Sequence, residues 1–121
     1  MLKLSIIIPT YNEEKTVLKI INRVERVKLE NINKEIIIVD DGSTDQTKEI
    51  LKPLEEKYKI IYQPKNLGKG AAVRTALNQI TGDIVLIQDA DLEYNPEEYS
   101  KLLDPIINHD LNVVYGSRML G

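Results

Sequence analysis

Two aspartates, Asp89 and Asp91, flank Ala90 directly after the apolar run 84–87 and Gln88, and Glu93 follows. Such a run reads as a buried strand, so carboxylates spaced two apart at its end need a reason. Side chains at i and i+2 converge once the backbone turns. Their oxygens suit Mg²⁺ or Mn²⁺, which commonly take one or two carboxylates together with substrate phosphates. Glu93 would add a further oxygen, directly or through water. The plain alternative is a solvated turn, and a D-x-D string alone is common.

A second acid pair, Asp40-Asp41, lies in "VDDGSTD". Two like charges at the end of a buried strand crowd each other near low dielectric. Asp40 is expected to serve the backbone turn while Asp41 faces a ligand. The simpler reading is a strand, a turn and a helix capped by Ser43 or Thr44, with Asp45 suited to the helix's positive end. Further on, "NLGKGAAVRTAL" brings Gly68, Lys69 and Gly70 to another helix start. Free amides there, with Lys69, would face an anion. The spacings G-x-x-x-x-G-K-[ST] and G-x-G-x-x-G are both absent, and the glycines otherwise allow a tight entry into the helix. His109, the only histidine, precedes the last apolar run and reads as a surface-loop residue.

These residues need elements to hold them. Short Ile- and Val-rich runs recur at 4–8, 35–40, 59–63, 83–89 and 112–117. They are mostly continuous rather than alternating, as strands buried on both faces read. Amphipathic stretches lie between them. The first carries Val17, Ile20, Ile21, Val24 and Val27 on one stripe. The second carries Ile50, Leu51, Leu54 and Tyr58, with Pro53 bending it or marking its edge. The third buries Val73, Ala76, Leu77 and Ile80. The fourth starts with Asn95 as cap and Pro96 at its first position, and carries Leu102, Leu103, Ile106 and Ile107. The pattern predicts five strands and four helices in a doubly wound, Rossmann-like α/β domain with a parallel sheet.

In such sheets ligands bind outside the carboxyl ends of the strands. That edge gathers Pro9, Tyr11 and Glu13, then Asp41, then Asn66 to Gly70, then Asp89 and Asp91, and last Arg118. His109 falls on the opposite edge.

The 121 residues fit one domain, with 42% hydrophobic and 29% charged content of an ordinary globular protein. A net charge of −3 argues against a nucleic-acid partner. It also means that an anionic ligand needs help from a metal or from backbone amides. The lack of Cys excludes disulfides, thiolate metal sites and thiol catalysis, and fits a cytoplasmic chain. No apolar stretch approaches the roughly 18 residues of a membrane span. Pro9, Asn12, Glu13 and Glu14 interrupt the opening apolar run too early for a signal segment.

In order, "SIIIPTYNEE", "IIIVDDGSTDQT", "NLGKGAAVRTAL", "GDIVLIQDADLEYNPEEY" and "VVYGSRMLG" resemble family 2 glycosyltransferases of the GT-A fold. The likeness is above all to the dolichyl- and polyprenyl-phosphate mannosyl- and glucosyltransferases, and it covers essentially the whole chain. It implies a nucleotide-sugar donor (a GDP- or UDP-sugar), a lipid-phosphate acceptor, and transfer with inversion. It also implies residue roles. Pro9, Tyr11 and Glu13 would line the base and ribose pocket, and Val39 and Asp41 would contact base or ribose. Lys69 and Asp89 would join the nucleotide site. Asp89 and Asp91 would hold Mg²⁺ or Mn²⁺ on the diphosphate, with Glu93 completing the metal site. Asp91 and Arg118 would be catalytic, Arg118 lying near the acceptor phosphate.

Family members continue beyond the point matching Gly121. The chain is therefore expected to be one nucleotide-sugar-binding domain, 1–121, truncated at its C-terminal end. It would lie in the cytoplasm or peripherally at the membrane's cytoplasmic face, and self-association through surface left by the missing half is a further expectation. The alternative is a domain of the same family that binds donor without transferring sugar. A receiver domain has similar length and element order, but needs an acid pair after its first strand, an Asp after its third and a Lys after its fifth. Those ends here read "PTYN", "QPKN" and "GSR". A sugar-1-phosphate nucleotidyltransferase would open on a Gly-rich signature that is absent.

Overall fold

The computed structural model describes residues 2–90, 96, 99 and 113–115. Strands β1 (Leu2–Thr10), β2 (Ile32–Asp40), β3 (Lys59–Tyr62), β4 (Ile84–Ile87) and β5 (Val113–Tyr115) form one sheet in the order β3-β2-β1-β4-β5. Every pairing is parallel, and β1 matches β2 along its whole length, from Leu2↔Ile32 to Thr10↔Asp40. The doubly wound α/β expectation holds. The chain builds outward from β1 to β3, then returns to place β4 on the other side of β1. The order reverses between β1 and β4, the switch point at which open sheets bind ligands.

The pleat divides the core. Ile6, Ile8, Ile36, Ile38 and Leu86 face α1 (Val17–Arg26) and the α2 side. Ile7, Ile37, Val39, Val85 and Ile87 face α3 (Lys69–Leu77) through Ala72, Val73 and Ala76. Right-handed crossovers require this, because reversing the direction of travel moves the connecting helix to the other face. Helix α1 buries Val17, Ile20, Ile21 and Val24 as its stripe predicts. It is closed by Lys34, whose ammonium donates to the carbonyls of Val24, Glu25 and Val27 at the helix's negative end.

Two helices depart from expectation. Helix α2 is short, Thr47–Leu51, and passes into a 3₁₀ turn, Lys52–Leu54, that contains Pro53. It also starts later than "GSTD" suggests. Ser43 Oγ accepts from Asn12 N at 2.9 Å instead of capping the helix. Asp45 Oδ1 takes the Thr47 amide at 2.9 Å. On α3, Leu77 is 42% exposed rather than buried. The small residues Ala72 and Ala76 let the helix sit close to the sheet on the Ala72–Val73–Ala76 face, which turns Leu77 outward. The expected fourth helix lies outside the described residues, except for Pro96 and Tyr99, which are both buried.

The amino-terminal edge of the sheet is tied by Glu35. Its Oε1 accepts from Ser5 Oγ at 2.7 Å and Thr81 N at 2.9 Å, and its Oε2 from Thr81 Oγ1 at 2.8 Å and Lys59 Nζ at 3.1 Å. Burial favours the neutral acid, but these donors outweigh it and hold the carboxyl down at about 2.

Candidate nucleotide-sugar site

The ladder continues past the strand ends and aligns the loops above them. Asp41 N donates to Thr10 O, Gln63 N to Asp40 O and Gln88 N to Ile7 O, at 2.8, 2.8 and 2.9 Å. The β1–α1 loop turns at Asn12, whose φ of 51° is left-handed, a conformation Asn tolerates. Asn12 Oδ1 then accepts the Thr44 amide at 2.7 Å, and Glu13 N donates to Thr47 Oγ1 at 3.0 Å. These bonds join the loops after β1 and β2 into one rim.

The two acids after β2 divide as the pleat dictates. Asp40, in phase with Ile36 and Ile38, points to the α1 and α2 side and is fully buried. Its Oδ2 takes the Ser43 amide at 3.2 Å, so it serves the turn, while Oδ1 has no partner among the described residues. Asp41, in the opposite phase, meets the loop that enters α3. Its Oδ1 and Oδ2 accept the Leu67 and Gly68 amides at 2.8 and 2.9 Å. Each oxygen keeps a second lone pair. Gly42 lets the loops close up: a Cβ there would lie 2.7 Å from Lys65 Cα and nearer still to the Lys65 carbonyl carbon and Asn66 N.

A cavity of about 260 Å³ opens at the switch point. Pro9 and Thr10 line it from the end of β1, Tyr11 and Glu13 from the loop that follows, Asp41 from just past β2, Asn66, Gly68 and Lys69 from the entry to α3, and Asp89 and Ala90 from just past β4. Tyr11 is 42% exposed, an aromatic face open to a flat ligand. Lys69 Nζ forms an ion pair with Asp89 Oδ1, so the cationic and anionic groups read from sequence meet in one cleft. The turn after β4 is held as well. Thr16 Oγ1 lies 2.6 Å from Ala90 O and 2.9 Å from Glu13 Oε2.

Pro9, Tyr11, Glu13, Asp41, Lys69 and Asp89 therefore share one wall or another of a single cavity. Val39 does not line it; its side chain is fully buried with Ile7, Ile37 and Ala72. Asp91, Glu93 and Arg118 lie outside the described residues. Among the described residues there is no group of three or more His, Asp or Glu able to hold a metal. Asp89 offers a carboxylate oxygen of the kind a hard cation takes, on a side chain that is here paired with Lys69. Asn66 was legible only as a member of the strand-end loops. Thr16 carried no signal, because its role depends on Ala90, far along the chain.

A doubly wound parallel sheet, with a charged cleft at its switch point, defines an α/β domain of the nucleotide-binding type. The chain belongs to glycosyl transferase family 2, whose pattern matches residues 5–121. It is 38% identical over 119 residues to the dolichol-phosphate mannosyltransferase of Pyrococcus furiosus, covering 97% of this chain and 33% of that one. The structure of S. aureus TarS 1-349 in complex with UDP-GlcNAc superposes with a TM-score of 0.72 at 33% identity, over 89% of this chain and 32% of that one. The mannosyltransferase PcManGT of Pyrobaculum calidifontis, in complex with GDP-Man and Mn²⁺, gives 0.69 at 28% identity, over 78% and 29%. The fold is thus that of the GT-A glycosyltransferases. The chain spans about a third of the length of these relatives. No described helix is long and apolar enough to cross a membrane.

Proposed function

We propose that the cleft between β1 and β4 binds the nucleotide and diphosphate of a GDP- or UDP-sugar, and that the chain serves inverting transfer of the sugar to a polyprenyl or dolichyl phosphate. The observation that carries this reading is the convergence of Tyr11, Asp41, Lys69 and Asp89 on one cavity at the switch point. The donors bound in the two solved relatives, and the acceptor for which the Pyrococcus enzyme is named, support the substrate classes.

Tyr11 offers its ring to the base, beside Pro9. Asp41 and Glu13 accept hydrogen bonds from base or ribose, Asp41 through lone pairs that its loop amides leave open. Lys69 sits where the diphosphate charge falls and exchanges part of its pairing with Asp89 for the phosphates. Asp89, with Asp91 and Glu93, would hold Mg²⁺ or Mn²⁺. When bound, the metal acts as a Lewis acid that offsets charge on the departing nucleoside diphosphate. The acceptor phosphate oxygen forms its bond to the anomeric carbon from the face opposite the leaving oxygen, and the bond to the diphosphate breaks. A monoester phosphate has its second pKa at about 6 and is largely ionised at pH 7, so it needs no general base. Arg118 would hold that anionic nucleophile in line.

Calorimetry with GDP- and UDP-sugars, with and without Mn²⁺, tests donor binding. One donor should bind more tightly with metal, and Asp91→Ala should abolish the metal-dependent part. An affinity unchanged by that substitution rules out the metal assignment. A turnover assay with polyprenyl phosphate then separates transfer from donor binding alone.

A further inference from the structure

We infer that Thr16 is a positioning residue that couples the nucleoside end of the cleft to the acidic turn, its one hydroxyl proton being contested by the Glu13 carboxylate and the Ala90 carbonyl; this rests on the reading of the cleft as a nucleotide site.

Thr16 Oγ1 lies 2.9 Å from Glu13 Oε2 and 2.6 Å from Ala90 O. A hydroxyl carries one proton, whereas a carboxylate and a carbonyl only accept. Thr16 therefore cannot donate to both at once. Whichever acceptor is not served meets a lone pair instead of a proton. The backbone around the three groups is pinned. Thr16 N and Val17 N donate to Glu13 O at 3.1 and 2.9 Å, and Glu13 N donates to Thr47 Oγ1 at 3.0 Å. The choice between the acceptors thus falls to side-chain torsions, above all that of the hydroxyl.

The two acceptors are not equivalent. Ala90 is only 3% exposed, so water does little to replace a donor lost from its carbonyl. Glu13 is half-buried and lines the cavity, where solvent or a ligand meets its carboxylate. A ribose hydroxyl or base N–H that donates to Glu13 satisfies that carboxylate and withdraws its claim on Thr16. The proton is then given to Ala90 O. Ala90 stands between Asp89, whose side chain is paired with Lys69 in the cleft, and Asp91. A firm bond to its carbonyl fixes the peptide that joins it to Asp91. The nucleoside therefore tightens the acidic turn without touching it, and does so before any phosphate is bound.

The test uses the unsubstituted chain, Thr16→Val and Thr16→Ser, with uridine and guanosine as probes. Neither probe carries a phosphate, so neither reaches the turn through a diphosphate. The first readout is the carbonyl ¹³C shift of Ala90, read through the Asp91 amide with no metal present. One nucleoside should move it downfield in the unsubstituted chain and in Thr16→Ser, as a carbonyl hydrogen bond strengthens. In Thr16→Val, which keeps the shape and loses the hydroxyl, the shift should start upfield and stay there. The second readout is Mn²⁺ binding by electron paramagnetic resonance. Saturating nucleoside should tighten it about fivefold more in the unsubstituted chain than in Thr16→Val, at the lower end of ordinary coupling between sites. Linkage requires Mn²⁺ to tighten the nucleoside by the same factor. An Ala90 shift that responds as much in Thr16→Val, or not at all in the unsubstituted chain, would overturn the inference while nucleoside binding stands. If neither nucleoside binds, the reading of the cleft fails and the coupling fails with it. If Mn²⁺ does not bind, the metal reading alone fails, and the Ala90 shift decides the role of Thr16.

Discussion

Lys69, at the first turn of α3, forms an ion pair with Asp89, just past the end of β4, inside the cavity at the switch point. The lysine side chain is 46% exposed and the aspartate 15%. A pair this open adds little to folding, within about 1 kcal/mol. Its interest is competitive, since the ammonium occupies a carboxylate that a divalent cation would also use. Lys69→Met should therefore shift two affinities in opposite directions. Mn²⁺ alone should bind Asp89 more tightly, while UDP or GDP should bind about tenfold more weakly for want of the cation. The melting temperature should hardly change. Calorimetry with metal and nucleotide separately reads both signs, and parallel losses would show that Lys69 only supports the fold.

Gly42 faces two obstacles to substitution, a φ of 72° and the backbone of Lys65 and Asn66 against its α-carbon. Gly42→Ala should cost about 3 kcal/mol, from left-handed strain and overpacking together. Gly42→Asn separates the two, because Asn tolerates left-handed φ but still carries a Cβ. If close approach dominates, Asn is no better than Ala in chemical denaturation. Nucleotide affinity should fall with either, because the displaced loop holds the Leu67 and Gly68 amides that Asp41 grips. At Gly68 a Cβ would meet nothing within 4 Å, so Gly68→Ala bears only its backbone strain, about 1–3 kcal/mol.

Glu35 makes stability depend on acid. Its folded-state pKa, about 2, lies below the ordinary 4.5, so the folded protein binds its proton later than the unfolded chain does. The stabilisation is complete above pH about 4.5 and is lost as pH falls towards 2, and it amounts to something on the order of 3 kcal/mol. Glu35→Gln should lower the melting temperature at pH 7 and flatten its dependence on pH across that window. Thermal melts from pH 7 down to 2 check this; parallel curves for both proteins would remove Glu35 as the source.

Much of this domain was legible from residue order. The continuous Ile and Val runs marked all five strands, because a strand buried on both faces has no polar side to show. The β2 acids were legible in outline, since a pleat of period two must send Asp40 and Asp41 to opposite faces. An interruption of α2 at Pro53 was legible, since proline has no N–H to continue the ladder, but the stripe read on to Tyr58, whereas the α-helix ends at Leu51. The start of α2 did not follow, because Ser43 and Thr44 are claimed by Asn12 in another loop. Leu77 misled for a similar reason. Its spacing is helical, but how closely α3 rides on the sheet is set by Ala72 and Ala76 against β1, β2 and β4.

The sequence by itself determined the kind of domain and the side of the sheet on which its chemistry gathers. Both follow from local periodicity and from which residues end each strand. Only the tertiary structure decided how those residues meet. Lys69 came to face Asp89, Asp41 to grip the loop before α3, and Thr16 and Gln88 to hold the acidic turn. Those contacts join parts of the chain that sequence pattern treats as independent. They arise because a return crossover sets β4 beside β1, and no local propensity encodes that pairing.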